Sequence, residues 1–308
     1  MKNSSNLLSI CIPTYNRVND LVKLLKSIDS KFESNIEIII VDDGSTDNTK
    51  KSVEEFSFKS NMHIKYAYQE NMGRSYALHK AILLTKSEYI VIMDSDDLFV
   101  KNGVDTIISK ILPLMGNKNK NNMAGFVFLC SNFDGTIIGD KFPENMQINS
   151  LLKFASDYQV SGDKKEVVRT KIIKDVLYTP YENEKRMATS IMWNRISLNF
   201  NIHSENEVVS MKGYAEDGMS SNIDCIRLQS PKSSAEYYGE LFYYHNKVYC
   251  SYKHAFRAAI NLIRYSIHLQ SMFFIKKYYL SFSKKMLLLV LTPVSAFLAI
   301  RDRFFCKF

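Results

Sequence analysis

The 308-residue chain has one tryptophan, six prolines and eleven glycines. Its five cysteines (Cys11, Cys130, Cys225, Cys250, Cys306) are odd in number, scattered, and never spaced Cys-x-x-Cys. That usage excludes a disulfide scaffold, argues against structural zinc and fits a reducing compartment. Uninterrupted apolar runs of the roughly 18–20 residues that a spanning helix needs are also missing, which excludes a polytopic membrane protein. The longest candidate, residues 286–300, is short, and Pro293 is predicted to kink or end it. The apolar run at 7–12 is only half a signal-peptide core and stops before Tyr15-Asn16-Arg17, so the chain is expected to stay in the cytoplasm. No Gly-x-Gly-x-x-Gly follows the first strand and no Gly-x-x-x-x-Gly-Lys-Ser/Thr loop occurs, which demotes a dinucleotide-dependent dehydrogenase and removes the common nucleotide hydrolases. The six histidines show no metal-ligand spacing, and no internal repeat is present.

Hydrophobic residues make up 46% of the chain and charged residues 23%, the balance of a globular protein with one large core or two modest ones. The net charge of +8 is unevenly spread. From residue 247 onward eleven Lys and Arg face a single acid, Asp302, so the remainder is slightly acidic. The same tail interleaves aromatics with its cations, as in Phe273-Phe274-Ile275-Lys276-Lys277-Tyr278-Tyr279. Such mixing suits a nucleic-acid surface, an amphipathic helix packed on the body, or a helix lying in an anionic lipid interface. The uncharged apolar run at 286–300 favours the lipid interface, with no nucleic-acid partner expected.

Along the first half, short buried apolar runs alternate with helical periodicity. Strands are predicted at 7–12, 36–41, 64–68, 89–93 and 125–130, and helices at 20–28, from a Thr46 or Asp47 cap to 56, and at 75–84. Such alternation means βαβ units, a parallel sheet, and ligands at the carboxyl ends of the strands. The residues standing there are Pro13-Thr14-Tyr15-Asn16, Asp42-Asp43-Gly44-Ser45, Asn71-Met72-Gly73-Arg74 and Asp94-Ser95-Asp96-Asp97. The run at 116–122 reads as a polar surface loop. Beyond about residue 150 the pattern is less regular, with a helix at 190–198 and further helices after 253.

Three carboxylates within four residues, Asp94, Asp96 and Asp97, repel one another unless a cation is present. Hard oxygens without nearby His or Cys suit Mg²⁺ or Mn²⁺, with water and phosphate oxygens completing the shell. Asp42 at a strand tip before Gly44 has the form of a nucleoside-binding corner, where a carboxylate can accept from a uracil N–H or ribose hydroxyls. The bland alternative for each cluster is an Asp-rich turn capping the next helix.

The segments 9–17 (Ser-Ile-Cys-Ile-Pro-Thr-Tyr-Asn-Arg), 39–47, 71–74 with Ala77, and 93–97, in this order and each at a strand end, resemble the family 2 glycosyltransferases of the GT-A fold. Weaker resemblance continues through 161–164, 192–196 and 214–220. It implies an α/β GT-A (Rossmann-like) fold with a mostly parallel sheet flanked by helices. The glycosyltransferase domain would occupy 1–246, with a nucleotide-binding half at 1–105 and an acceptor-side half at 106–246. Residues 247–308 would form a basic, aromatic, membrane-associating helical extension. By the same resemblance Pro13, Thr14, Tyr15, Arg17, Asp42, Asp43, Gly44, Asn71, Gly73, Arg74, Asp94, Ser95 and Asp96 surround a nucleotide-sugar, Asp94 and Asp96 hold the metal, and Asp97, Trp193 and Asp163 face the acceptor. The family carries an acidic general base shortly before its Trp-x-Arg segment, and here Thr189 stands there. The role passes to Asp217, Glu216 or Glu184, with Glu182 a further option.

The implied activity is inverting transfer from a UDP-sugar to a lipid-linked saccharide for surface polysaccharide, at the inner face of the cell membrane. Two other readings stay open. A sugar-1-phosphate nucleotidyltransferase would need a Gly-rich loop with a catalytic lysine near the N-terminus, and Lys2 and Lys23 sit in no such loop. A non-catalytic nucleotide-sugar-binding scaffold is motivated by Thr189.

Overall fold

The computed structural model describes residues 6–114, 122–184, 186–213 and 223–305. Glu216, Asp217 and nearly all of the polar run at 116–122 lie outside the described residues. The elements are β1 (Leu8–Thr14), α1 (Val18–Ser27), β2 (Ile36–Asp42), α2 (Thr49–Lys59), β3 (His63–Tyr68), α3 (Arg74–Leu84), β4 (Tyr89–Ile92), β5 (Leu98–Phe99), α4 (Gly103–Ile111), β6 (Met123–Ser131), β7 (Ile148–Asn149), α5 (Leu151–Ser156), β8 (Lys164–Arg169), α6 (Thr170–Asp175), α7 (Ser190–Ile196), β9 (Asn201–Met211), α8 (Ile223–Leu228), α9 (Pro231–Tyr244), α10 (Tyr252–His268), α11 (Phe273–Lys276) and α12 (Phe282–Phe305).

The sheet runs β3-β2-β1-β4-β8-β6-β9-β5, with β7 on β9. Its first four strands are parallel. Every residue of β1 and β2 is buried, as expected of parallel strands covered on both faces. The expectation of a mostly parallel sheet holds only for that half. β8 runs antiparallel to both β4 and β6, β9 is parallel to β6, and β5 and β7 are antiparallel to β9. On one face α1 and α4 pack Leu21, Leu24, Ile107 and Ile108 onto Ile10, Ile12, Ile38 and Ile40. On the other, α3, α6 and α7 pack Ala77, Leu78, Ile173 and Ile191 onto Cys11, Ile39, Val41 and Val168.

A third core joins α9, α10 and α12 through Tyr238, Phe242, Ala258, Leu262, Tyr265 and Leu288. The expected boundary at residue 246 runs through this core, since α9 and α10 bury the same apolar faces. The tail is therefore fastened to the body. α12 also corrects the expectation for Pro293: the helix continues unbroken for 24 residues with the proline inside it. Neighbouring hydroxyls return to the backbone there, with Thr292 Oγ1 donating to the Leu288 carbonyl and Ser295 Oγ to that of Leu291, both at 2.9 Å. By length and composition α12 is apolar enough to cross a membrane, which the reading of 286–300 as a short, broken run had excluded. It buries Leu288, Ser295, Ala299 and Asp302 along one stripe and exposes Phe282, Met286, Leu289, Val290, Val294, Phe297, Ile300 and Phe304 along another.

Candidate active site

The parallel half of the sheet brings four strand ends to one edge, where side chains and backbone are tied together before any ligand arrives. Asn16 turns the chain after β1 with φ +49°. Its N–H donates to Ser45 Oγ at 2.9 Å and its side-chain oxygen accepts from the Thr46 N–H at 2.8 Å. Asp47 spans the same gap by accepting from the N–H groups of Val18 (3.1 Å) and Thr49 (3.0 Å), so α2 begins at Thr49, later than expected. At Gly44, φ is +86° and a methyl group would lie 2.8 Å from the Asn71 nitrogen, so glycine alone fits where the two loops meet.

The two acids at the end of β2 have different tasks. Asp42 is buried, and its carboxylate accepts from the Ser45 N–H (2.8 Å) and the Tyr66 hydroxyl (2.5 Å). Its strand partner is Thr14, whose buried Oγ1 has no hydrogen-bond partner among the described residues. An orphaned hydroxyl beside an anchored carboxylate is a place for an incoming polar ligand, and Tyr15, 45% exposed, stands next to it. Asp43, by contrast, accepts from the Met72 and Gly73 N–H groups and from Gln69 Nε2, at 3.0, 2.8 and 2.8 Å. Its oxygens hold the loop that starts α3, which corrects its expected place against the nucleotide. Gly73 caps α3 with φ +101°, and Asn71 is exposed at the rim.

Arg74, the first residue of α3, donates from Nε (2.7 Å) and Nη2 to Asp94 Oδ1, and from Nη1 to Thr189 Oγ1 at 3.3 Å. Thr189, at the position where the family places its acid, is thereby brought against the Arg74–Asp94 pair. Burial alone would raise the Asp94 carboxyl, but Arg74, Lys212 and Lys165 outweigh it and hold it below the ordinary range. Asp96 takes one ion pair, with Arg17 at 3.3 Å, and burial with the adjacent Asp94 charge pushes its carboxyl up. Ser95 between them is buried.

Asp97 departs from expectation. It is buried with Lys165 at 3.4 Å and Lys212 at 3.8 Å, which commits it to neutralising two interior cations and removes it from the acceptor side. Neither lysine was picked out from the sequence. The available signal was a lysine on the core-facing register of a strand, since Lys165 alternates with buried Val167 on β8. Lys212 also reaches the exposed Asp163 at 3.3 Å, which places Asp163 beside this corner.

Glu184 is corrected too. Its carboxylate is buried at the start of α9, accepting from the N–H groups of Lys232 (2.7 Å) and Ser233 (2.8 Å) and from Ser233 Oγ (2.5 Å). A carboxylate saturated by a helix N-terminus is a cap, not a base. Trp193 on α7 is half-buried against the second core. Glu216 and Asp217, the other two candidate bases, fall outside the described residues.

The donor set suits a divalent cation. Asp96 offers hard carboxylate oxygens, its carboxyl pushed up by burial and by the neighbouring Asp94 charge, and Asp94 stands beside it. One or two carboxylates plus phosphate oxygens are what Mg²⁺ takes from a protein. Among the described residues no three metal-ligating side chains cluster.

Residues 9–138 match the profile of Glycosyl transferase family 2. Among curated proteins, Glycosyltransferase GlyG of Streptococcus pneumoniae is 29% identical over 199 residues, 63% of this chain and 66% of the relative. The UDP-Glc:alpha-D-GlcNAc-diphosphoundecaprenol beta-1,3-glucosyltransferase WfgD of Escherichia coli is 30% identical over 153 residues, 48% of this chain and 55% of the relative. The chain thus spans under two thirds of the length of either. Among solved structures, S. aureus TarS 1-349 in complex with UDP-GlcNAc superposes with a TM-score of 0.59 at 17% identity, covering 92% of this chain and 79% of TarS, a likeness that shows the fold. With the strand-end motifs assembled on that fold and the profile matched across them, residues 9–138 form a family 2 glycosyltransferase domain.

Proposed function

We propose that the protein transfers a sugar from a UDP-sugar to a hydroxyl of a lipid-linked saccharide during surface-polysaccharide synthesis, with inversion. The observation that carries this reading is the charge balance at the strand ends. Asp94 and Asp96 are partly open and held by Arg74 and Arg17, side chains that can re-pair with a diphosphate while the acids take a cation. Thr14 and Asp42 receive the base and ribose. Mg²⁺ or Mn²⁺, held by Asp96 with Asp94, would supply charge stabilisation to the diphosphate leaving group. The acceptor oxygen attacks the anomeric carbon from the face opposite the diphosphate. As the new C–O bond forms, the bond to the phosphate oxygen breaks, and the acceptor proton passes to Asp217 or Glu216. Arg17 and Arg74 balance the charge that UDP carries away.

The lipid-linked acceptor and the inner membrane face are supported by α12. Its exposed apolar stripe is flanked by exposed Lys276, Lys285 and Arg301, a pattern suited to an anionic leaflet. Its other face is bonded along α10, which carries exposed Lys253 and Arg257, so lying in the interface keeps those charges in water whereas crossing would not. WfgD, by its name, acts on a diphosphoundecaprenol-linked sugar.

The test is UDP release from a panel of UDP-sugars with and without a GlcNAc-diphospholipid acceptor, in Mg²⁺ and in EDTA. Acceptor-dependent, chelator-sensitive release is expected. UDP binding without release under any condition would favour the second reading, a nucleotide-sugar-binding scaffold, which Thr189 beside Arg74 motivates.

A further inference from the structure

We infer that Phe133 is the stacking platform for a saccharide ring of the acceptor, an inference that rests on the sugar-transfer reading above. Phe133 lies in the tight turn after β6. Every other residue of that turn serves the turn itself. The Asn132 N–H donates to the Thr136 carbonyl (2.8 Å), the Gly135 N–H donates to the Asn132 carbonyl (3.0 Å), and the Asp134 carboxylate accepts from the Thr136 N–H (2.9 Å) and hydroxyl (2.6 Å). Asn132 Nδ2 donates to Thr136 Oγ1 at 2.8 Å, closing the loop. Phe133 takes part in none of these bonds and is 57% exposed. Phe133 thus offers an open aromatic face on a turn whose other residues are polar or glycine and are tied to one another.

Its position gives the ring a use. A methyl group added to Gly213 would lie 2.7 Å from the Asp96 carbonyl oxygen and 3.1 Å from Phe133 Cζ, so the ring edge stands beside the backbone of the metal-side acid. The Lys212 N–H donates to the Ser131 carbonyl at 2.9 Å, fixing this register between β6 and β9. The Lys212 ammonium and the exposed Asp163 carboxylate, 3.3 Å apart, supply polar partners on the same border. An aromatic face for sugar C–H groups, flanked by an acid and an amine for hydroxyls, is the chemistry of a pyranose subsite. Following β6, three strands from the end of β1 with Thr14 and four from that of β2 with Asp42, it fits the acceptor and not the nucleotide.

Saturation-transfer NMR on the full chain with UDP and the methyl α-glycosides of glucose, galactose and N-acetylglucosamine tests this directly. We expect transfer to the protons of at least one glycoside, a loss of about fivefold or more in Phe133→Ala, and retention in Phe133→Tyr, with UDP affinity unchanged in all three proteins. Unchanged transfer in Phe133→Ala, or no transfer to any glycoside, overturns the proposal. So does a parallel loss of UDP affinity, which would assign the ring to the nucleotide corner. Measuring UDP release on the same proteins separates the two readings. Release without Phe133-dependent sugar contact removes only the platform, and Phe133-dependent contact without release removes only the transfer reaction.

Discussion

Two regions of this molecule hold arginine–carboxylate pairs, and they hold them differently. At the strand ends Arg74–Asp94 and Arg17–Asp96 keep side-chain exposures between 24% and 35%. In the C-terminal helices Arg264 meets Asp302 with both oxygens engaged and both partners under 10% exposed, and His268 Nε2 completes the set at 2.9 Å. Open pairs exchange partners at little cost. A buried pair that loses one member leaves an uncompensated charge. The first region is built for re-pairing with a ligand, and the second fastens α12 to α10.

The largest effect that would break this comparison lies in the open region. Asp96→Asn removes a charge that, among the described residues, is ion-paired only with Arg17, so the melting temperature should stay within a degree or two while UDP release falls by about 10³-fold, as when a preorganised electrostatic group is lost. A variant that melts early would show that Asp96 is structural like Asp97. The next effect lies in the closed region. Arg264→Leu should cost about 3 kcal/mol in denaturant unfolding by stranding Asp302, the double change with Asp302→Leu should recover most of it, and UDP affinity should be unmoved by either. No cost in the single variant would mean that the helical layer holds without its pair.

The same contrast decides what was legible in the sequence. Strands β1, β2 and β4 and their ends could be read because each is a nearly continuous apolar run and each end carries turn chemistry within three or four residues. The roles of adjacent acids could not. Asp42 and Asp43, or Asp96 and Asp97, differ only in which loop or lysine lies across from them, and those partners (Gly73, Lys165, Lys212) come from elements up to 115 residues away. Glu184 was misread for the same reason, as its three donors belong to α9. The tail's amphipathic character was visible, but its buried stripe at 288, 295, 299 and 302 becomes distinguishable from the exposed one only when α10 is seen beside it.

A smaller effect sharpens the picture of α12, whose two stripes should respond separately. Leu289→Glu with Phe297→Glu alters only exposed positions, so unfolding should be unchanged, while partition onto vesicles rich in phosphatidylglycerol should fall by about 30-fold or more, from two lost apolar side chains and two added like charges. Sedimentation with such vesicles reads this directly. Equal binding by the variant would mean that α12 does not lie on lipid, and the localisation proposed here would fail.

The smallest effect is a separation in pH between the two regions. Burial alone would raise the Asp302 carboxyl, but the hydrogen bonds from Arg264 and His268 outweigh it and hold it below its ordinary value. A carboxyl depressed in the folded state contributes stability that is fully present above the unfolded value, about 3.9, and is lost as the pH falls through the folded one. Asp96 has the opposite sign. Its raised carboxyl makes the charged form a cost at neutral pH, a cost relieved as acid protonates it. As the pH falls, metal-dependent UDP binding should therefore weaken before the helical layer loosens, and amide exchange in α12 should quicken only below about pH 4. The two titrations, followed by calorimetry and by hydrogen exchange, should not coincide. If α12 opens in the same range in which UDP binding fades, the Asp302 pair is not what fastens the tail, and the division between exchangeable and fixed ion pairs does not describe this protein.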